Sequence, residues 1–188
     1  MWPAIAGSVG RFFDRAAPGW DERTQAGSPA HLAALAAALD DLAIRPERVL
    51  DLGCGTGAGT LFLAREYPTA SIRGIDLSEA MISRAQAKIG LDPEGRVSFR
   101  LGDASNLPFG EASFDLVAQV NMPIFFTEID RVLRPGGGLV IASSAGDRTP
   151  FSTPEGLIRR KLSRRGFARI ESGRAGEGTW IAARKGES

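Results

Sequence analysis

Apolar positions along this chain change their period several times, and each change marks an element. Leu32, Leu35, Leu39 and Leu42 recur at helical spacing on an alanine-rich background. Ser28 precedes them as a candidate N-cap, with Pro29 at the first helical position, and Pro46 closes the segment. Val49-Leu50-Asp51-Leu52 is then a short apolar strand running into Gly53. Helical spacing resumes after Gly59 through Leu61, Ala64 and Arg65 and stops by Pro68. Ser71 to Ile75 is a second strand, and Ser78 caps a helix carrying Met81, Ile82, Ala85 and Ile89. Val97, Phe99 and Leu101 alternate in a third strand, and Phe114 to Val120 forms a fourth. Ile129, Val132 and Leu133 make a brief helical stripe ended by Pro135-Gly136, after which Gly138 to Ser143 is a fifth strand. A helix beginning at Thr153-Pro154 carries Leu157, Ile158 and Leu162, and Phe167 to Ser172 and Thr179 to Ala183 are two last extended runs. Residues 1–27 read as an irregular leader holding Phe12, Phe13 and Trp20.

Strands alternating with helices predict an α/β fold, a mostly parallel seven-stranded sheet with helices on both faces. The last two strands are joined by a glycine-bearing link too short for a crossover helix, so they should pair as a C-terminal antiparallel hairpin. The natural division is residues 1–45, a leader and helix on the lid or substrate side, and residues 46–188, a ligand-binding core.

Composition narrows the function classes. At 188 residues the chain fits one domain, and its 43% apolar and 24% charged residues are ordinary for a soluble protein. A net charge of +1 gives no electrostatic reason to expect nucleic acid as a partner. Arg159, Arg160, Lys161, Arg164 and Arg165 cluster, which reads as the solvated face of a helix. One cysteine and one histidine exclude an intrachain disulfide and make a Cys- or His-based metal site unlikely to form, so no metal is expected. No apolar run reaches membrane-spanning length, and a cytoplasmic location is the default expectation. His31 is expected on the exposed side of its helix's first turn, and Cys54 as a small loop residue rather than a nucleophile.

Candidate chemistry begins at Asp51-Leu52-Gly53-Cys54-Gly55-Thr56-Gly57, between the first strand and its helix. Glycines there let the backbone turn sharply and approach a ligand. The helix that follows presents unpaired N–H groups. Gly53-x-Gly55-x-x-Ala58 also satisfies a dinucleotide pattern, so an NAD-dependent oxidoreductase is an alternative; no Lys-Ser/Thr follows, which excludes a Walker loop. Asp76, at the end of the second strand, can accept both hydroxyls of a ribose under either reading. Asp51 is less neutral, because a buried carboxylate needs a donor; an ammonium supplies one, whereas a pyrophosphate would be repelled. Asp103 adds a third acceptor after the third strand, with an adenine amino group as its natural donor.

In this order the motifs resemble those of class I S-adenosylmethionine-dependent methyltransferases, near the small-molecule branch that includes ubiquinone and menaquinone biosynthesis enzymes. Val49 to Gly57 is similar to the family's first motif and Gly74-Ile75-Asp76-Leu77-Ser78 to its second. Gly102-Asp103-Ala104 with Leu107-Pro108-Phe109 resembles the third, and Phe114 to Val117 and Arg131 to Gly137 the later strand and turn. The leader segment Phe13-Asp14-Arg15 … Trp20-Asp21 resembles that branch's lid. The resemblance implies a Rossmann-like sheet, S-adenosylmethionine as cofactor, S-adenosylhomocysteine as product and a small-molecule methyl acceptor. It implies that Gly53, Cys54, Gly55 and Gly57 face the methionine part, with Asp51 near its amino group. Asp76 would take the ribose, Asp103 the adenine amine, and Leu77 and Ala104 would sandwich the adenine ring. Phe13 and Trp20 from the leader, with Asn121 and Phe125 after the fourth strand, are the candidate acceptor-side residues. The segment between the fourth strand and Arg131 is shorter than in relatives, so a cofactor-binding protein with lost or weak catalysis stands as a second alternative. No side chain is singled out as a catalytic base.

Overall fold

The computed structural model describes residues 2–90, 92 and 94–187. Five parallel strands form its centre: β1 (Arg48–Leu52), β2 (Ser71–Asp76), β3 (Val97–Leu101), β4 (Phe114–Val120) and β5 (Leu133–Ser143). Two more, β6 (Phe167–Ala175) and β7 (Gly178–Lys185), form the expected antiparallel hairpin. The sheet order is β3-β2-β1-β4-β5-β7-β6, with β7 antiparallel to β5. Chain direction through the sheet reverses between β1 and β4. The crevice beyond their C-terminal ends is where an open α/β sheet receives a ligand.

Helices cover both faces as the alternation predicts. The helix α3 (Pro29–Leu42) buries Leu32, Leu35, Leu39 and Leu42 against Val49, Leu116, Val140 and Ala182. Its Ser28 cap accepts the His31 amide at 3.2 Å. On the same face, α4 (Ala58–Glu66) sends Leu63 into this cluster. On the other face, α6 (Phe126–Val132) and α7 (Glu155–Ser163) contribute Ile129, Val132, Ile158 and Leu162 to a cluster with Leu50, Val117, Leu139 and Ile181. Polar ties lock the ends. Asp115, 2% exposed, accepts the Glu47 and Arg48 amides and pairs with Arg134, fixing β1 beside β4. Arg131 donates to the Leu107 and Phe109 carbonyls while Glu128 accepts the Leu107 amide, so the Leu107-Pro108-Phe109 segment is held by α6.

The leader departs from expectation. Residues expected to be irregular form two helices, α1 (Trp2–Ala16) and α2 (Trp20–Thr24), separated by Pro18-Gly19. The buried positions of α1 are Ala6 and Gly10, and Trp2, Val9 and Phe13 on the same side line a cavity, so the helix is amphipathic, with a period that the irregular reading missed. That face lies on α5 (Glu79–Ala87), and a Cβ on Gly10 would stand 3.1 Å from the Leu77 carbonyl oxygen. The basic cluster is also less solvated than expected. Arg159 donates to Ser172 and Glu155, and Lys161 and Arg165 lie over the Phe126 ring at 5.5 and 5.6 Å. Among the described residues no helix is long and apolar enough to cross a membrane.

Candidate functional site

The C-terminal ends of β1, β2 and β3 open into one cavity, and the glycine loop forms its floor. Gly53 and Gly55 hold φ of +63° and +52°, which only glycine adopts cheaply. A Cβ on Gly55 would meet nothing within 4 Å, so this part of the loop turns bare backbone toward open space. Gly57 differs from its expected role. It does not line the cavity; a Cβ there would meet the Phe99 ring at 2.8 Å and Ala85 at 3.1 Å, so it serves helix-to-sheet packing.

The three carboxylates converge as the sequence predicts, each in its own state. Asp51 is 3% exposed and accepts the Thr60 hydroxyl at 2.6 Å. Burial first, with the neighbouring Asp76 charge adding to it against the Thr60 hydrogen bonds, pushes its carboxyl up to about 7. Asp76 accepts the Gly55 and Ser78 amides at 2.9 Å each, which closes the glycine loop onto β2. Burial raises its pKa as well, and those amides oppose the rise. Two amides leave half of a carboxylate's acceptor capacity for hydroxyls. Asp103 accepts the Ser105 amide at 2.7 Å and, unforeseen, the Trp2 indole N–H, which lies 2.9 and 3.1 Å from its two oxygens.

Leu77 and Ala104 line the cavity beside Asp76 and Asp103, and Cys54 lines it beside Gly53. The Cys54 thiol is buried, and burial with the nearby Asp51 and Asp76 charges pushes its pKa well up, so it is neutral and not nucleophilic. Phe13, Trp20, Asn121 and Phe125 all border the cavity, whereas Phe12 is 62% exposed and does not. Phe13 and Trp20 meet edge to face at 5.6 Å. Asn121 has its amide engaged on both sides, donating to the Ser144 hydroxyl at 2.8 Å and accepting the Ser144 amide at 2.9 Å. It joins the loop after β4 to the loop after β5.

Two leader acids tie the leader to the floor. Asp14 accepts the Ser78 hydroxyl at 2.6 Å and the Ala80 amide at 3.2 Å, and these bonds hold its carboxyl below the usual range. Asp21 accepts the Thr56 hydroxyl and pairs with Lys88. His31 corrects the sequence reading: it is half-buried and lines the cavity. Burial lowers its pKa, against a hydrogen bond to the Thr24 carbonyl, which leaves a neutral imidazole near pH 7. Thr56 of the glycine loop also joins the site, as do Thr60, Met122 and Phe151, which no local motif marks.

The site is a glycine-floored crevice at the switch point of an α/β sheet, edged by three acids. Residues 49–137 match the family described as a methyltransferase domain. The chain is 41% identical over 116 residues to the O-methyltransferase cnsE of Penicillium expansum, covering 57% of this chain and 42% of that protein. It is 37% identical over 111 residues to the demethylmenaquinone methyltransferase of Lactococcus lactis, covering 55% of this chain and 44% of that one. The chain thus spans less than half the length of these curated relatives. Among solved structures, the [4+2]-cyclase SpnF superimposes with a TM-score of 0.75 at 20% identity, over 96% of each chain, a likeness of fold alone.

Proposed function

We propose that this chain binds S-adenosylmethionine across the ends of β1, β2 and β3 and transfers its methyl group to a small, uncharged, largely apolar acceptor. The observation that carries this reading is the convergence of Asp51, Asp76 and Asp103 on one cavity that no lysine or arginine lines. Three acceptors and no cation suit a ligand with an ammonium, a ribose and an adenine amine, and disfavour the pyrophosphate of NAD. In this assignment Asp51 meets the ammonium and Asp76 the ribose hydroxyls. Asp103 meets the adenine amine, and Leu77 and Ala104 flank the ring. Gly53, Cys54 and Gly55 offer backbone to the methionine part.

The reaction is an in-line displacement. A nucleophilic atom of the acceptor bonds to the methyl carbon, the carbon–sulfur bond breaks, and sulfur keeps the electron pair. The sulfonium is already activated, so the protein's work is to position the acceptor and exclude water. Phe13, Trp20 and Phe125 supply apolar walls for that purpose. Room for an acceptor lies next door, in a cavity of about 630 Å³ that shares Asn121, Met122 and Phe151 with the first. Ile124, Ile141, Ile158, Ile181 and Trp180 give it an apolar floor, and Ser143 and Thr149 offer hydroxyls. Its size is within the ~300–1,000 Å³ usual for small-molecule sites.

Calorimetry with S-adenosylhomocysteine and NAD, then labelled S-adenosylmethionine with a panel of phenols, quinols, fatty acids and amines, tests the reading. Binding of the first ligand only, with label appearing in an apolar acceptor, is expected. NAD binding without S-adenosylhomocysteine binding would refute the cofactor, and cofactor binding with no labelled product would leave a binding protein without catalysis. Asp76→Ala removes charge-assisted hydrogen bonds worth ~1.5–3 kcal/mol each and should cost at least tenfold in S-adenosylhomocysteine affinity with the fold retained.

A further inference from the structure

We infer that the first turn of α1 is a built-in competitor of the cofactor, with the Trp2 indole seated where the adenine amine is received. The inference rests on the assignment of Asp103 to adenine made above. An indole and an adenine present the same feature to a carboxylate, an N–H on the rim of a flat aromatic ring. Trp2 Nε1 lies 2.9 and 3.1 Å from the two Asp103 oxygens, so the donor straddles the carboxylate. The Ser105 amide already takes one of those oxygens at 2.7 Å, leaving little capacity for a further donor. The indole also packs edge to face on Phe125, with ring centroids 4.9 Å apart.

With the indole in place the cavity measures about 160 Å³. This is well below the ~300 Å³ at which small-molecule sites begin. A full nucleoside with a methionine tail does not fit until something leaves, and Trp2 is the lining residue that holds Asp103. The far part of α1 is anchored by Asp14 on Ser78 and Ala80 and by Gly10 against Leu77. Pro3, Ala4 and Ile5 are exposed, so the Trp2 end is held by Asp103 and Phe125. The helix is therefore a lever, fixed at the N-terminus of α5 and latched at the end of β3. Cofactor entry must lift the latch, and the apparent dissociation constant is the intrinsic one divided by the unlatched fraction.

Calorimetry with S-adenosylhomocysteine on the whole chain tests this. Trp2→Phe keeps a ring against Phe125 and removes the N–H. One hydrogen bond of ordinary net strength predicts a dissociation constant roughly 3- to 10-fold lower than that of the unaltered chain. In an Asp103→Asn background the same change should have much less effect, because the charge that attracts the indole is gone. Hydrogen exchange on the unaltered chain gives a second readout independent of any variant. Amides of residues 2–9 should exchange faster once S-adenosylhomocysteine is bound. Equal or weaker binding by Trp2→Phe, or slower exchange of residues 2–9 on binding, overturns the competitor and leaves the cofactor assignment standing. Failure of S-adenosylhomocysteine to bind any form overturns both.

Discussion

At Asp51 a carboxylate is buried with Thr60 donating to it and Asp76 nearby, and the protein keeps it protonated up to about pH 7. The free carboxyl titrates near 3.8, so between about pH 4 and 7 the folded chain holds a proton that the unfolded chain has lost. This residue's contribution to stability is therefore full below pH 4, falls as pH rises toward 7 and is flat above it. A ligand ammonium reverses the preference by pairing with the ionised form. S-adenosylhomocysteine affinity should then climb with pH up to about 7 and level off, with close to one proton released per ligand at pH 6. Calorimetry at pH 6 in two buffers of different ionisation heat measures that proton; none released, or a pH slope that survives Asp51→Asn, refutes the ammonium partner. Asp51, Asp76 and Asp103 were legible in the sequence because strand ends at one sheet edge bring them together whatever the side-chain detail. Trp2 and His31 were not, since the Trp2–Asp103 bond joins positions 101 apart and the turn of α3 toward the cavity is set by its leucines. Gly57 was legible as a glycine but misread in its role: Gly55→Ala should cost about 1–2 kcal/mol of backbone strain alone. Gly57→Ala should cost more in a urea titration, because its Cβ also meets Phe99 at 2.8 Å.

At the scale of elements, every strand and the helices after residue 28 were legible to within a few residues, because burial on one face imposes a period on each. The exception after residue 28 is β5, which starts at Leu133 rather than Gly138, with its register on β4 shifted between Phe114 and Leu116. A shift of this kind is a matter of pairing and leaves no periodic trace. The leader was misread although its pattern is helical: Trp2, Ala6, Val9 and Phe13 share one side of α1, which is anchored by Asp14 on the cap of α5. Ser78 does two things at once there, accepting the Met81 amide at 3.2 Å as N-cap and donating to Asp14. Ser78→Ala should therefore cost more than an ordinary cap, about 1–2 kcal/mol. Asp14→Ala should leave the α5 cap intact and cost less in global stability while raising proteolytic cleavage within residues 2–16. Chemical denaturation and limited proteolysis of the two variants separate these effects: equal losses in both would show that the Ser78 cap adds nothing beyond the tie, and no loss in Asp14→Ala would show that the tie contributes nothing of its own.

At the scale of the whole molecule, the sheet order turns scattered motifs into one site. β1 is central, between β2 and β4, so the strand ends that carry Asp51 and Asp76 and the loop that carries Asn121 are neighbours although they are far apart in sequence. The same order separates what holds the fold from what binds. The apolar clusters on the two faces contain the sheet's middle, while the carboxylates and the glycine loop stand at its C-terminal edge. Leu35→Ala, at a fully buried position on α3, should thus destabilise by ~2–5 kcal/mol and leave ligand affinity in the surviving folded fraction nearly unchanged. Ligand binding should act in the opposite sense, adding stability through the folded state alone. At a hundredfold excess of S-adenosylhomocysteine over its dissociation constant the gain is about 2.7 kcal/mol. In a chain of this size that corresponds to a rise of roughly 5–10 °C in the unfolding midpoint. The Leu35→Ala chain should show a similar ligand-induced gain from its lower starting point, because the site does not share that core contact. A thermal melt of both chains with and without the ligand measures all four values. An unchanged midpoint in both would refute binding at the edge, and a gain lost only in Leu35→Ala would show that edge and core are coupled through α3.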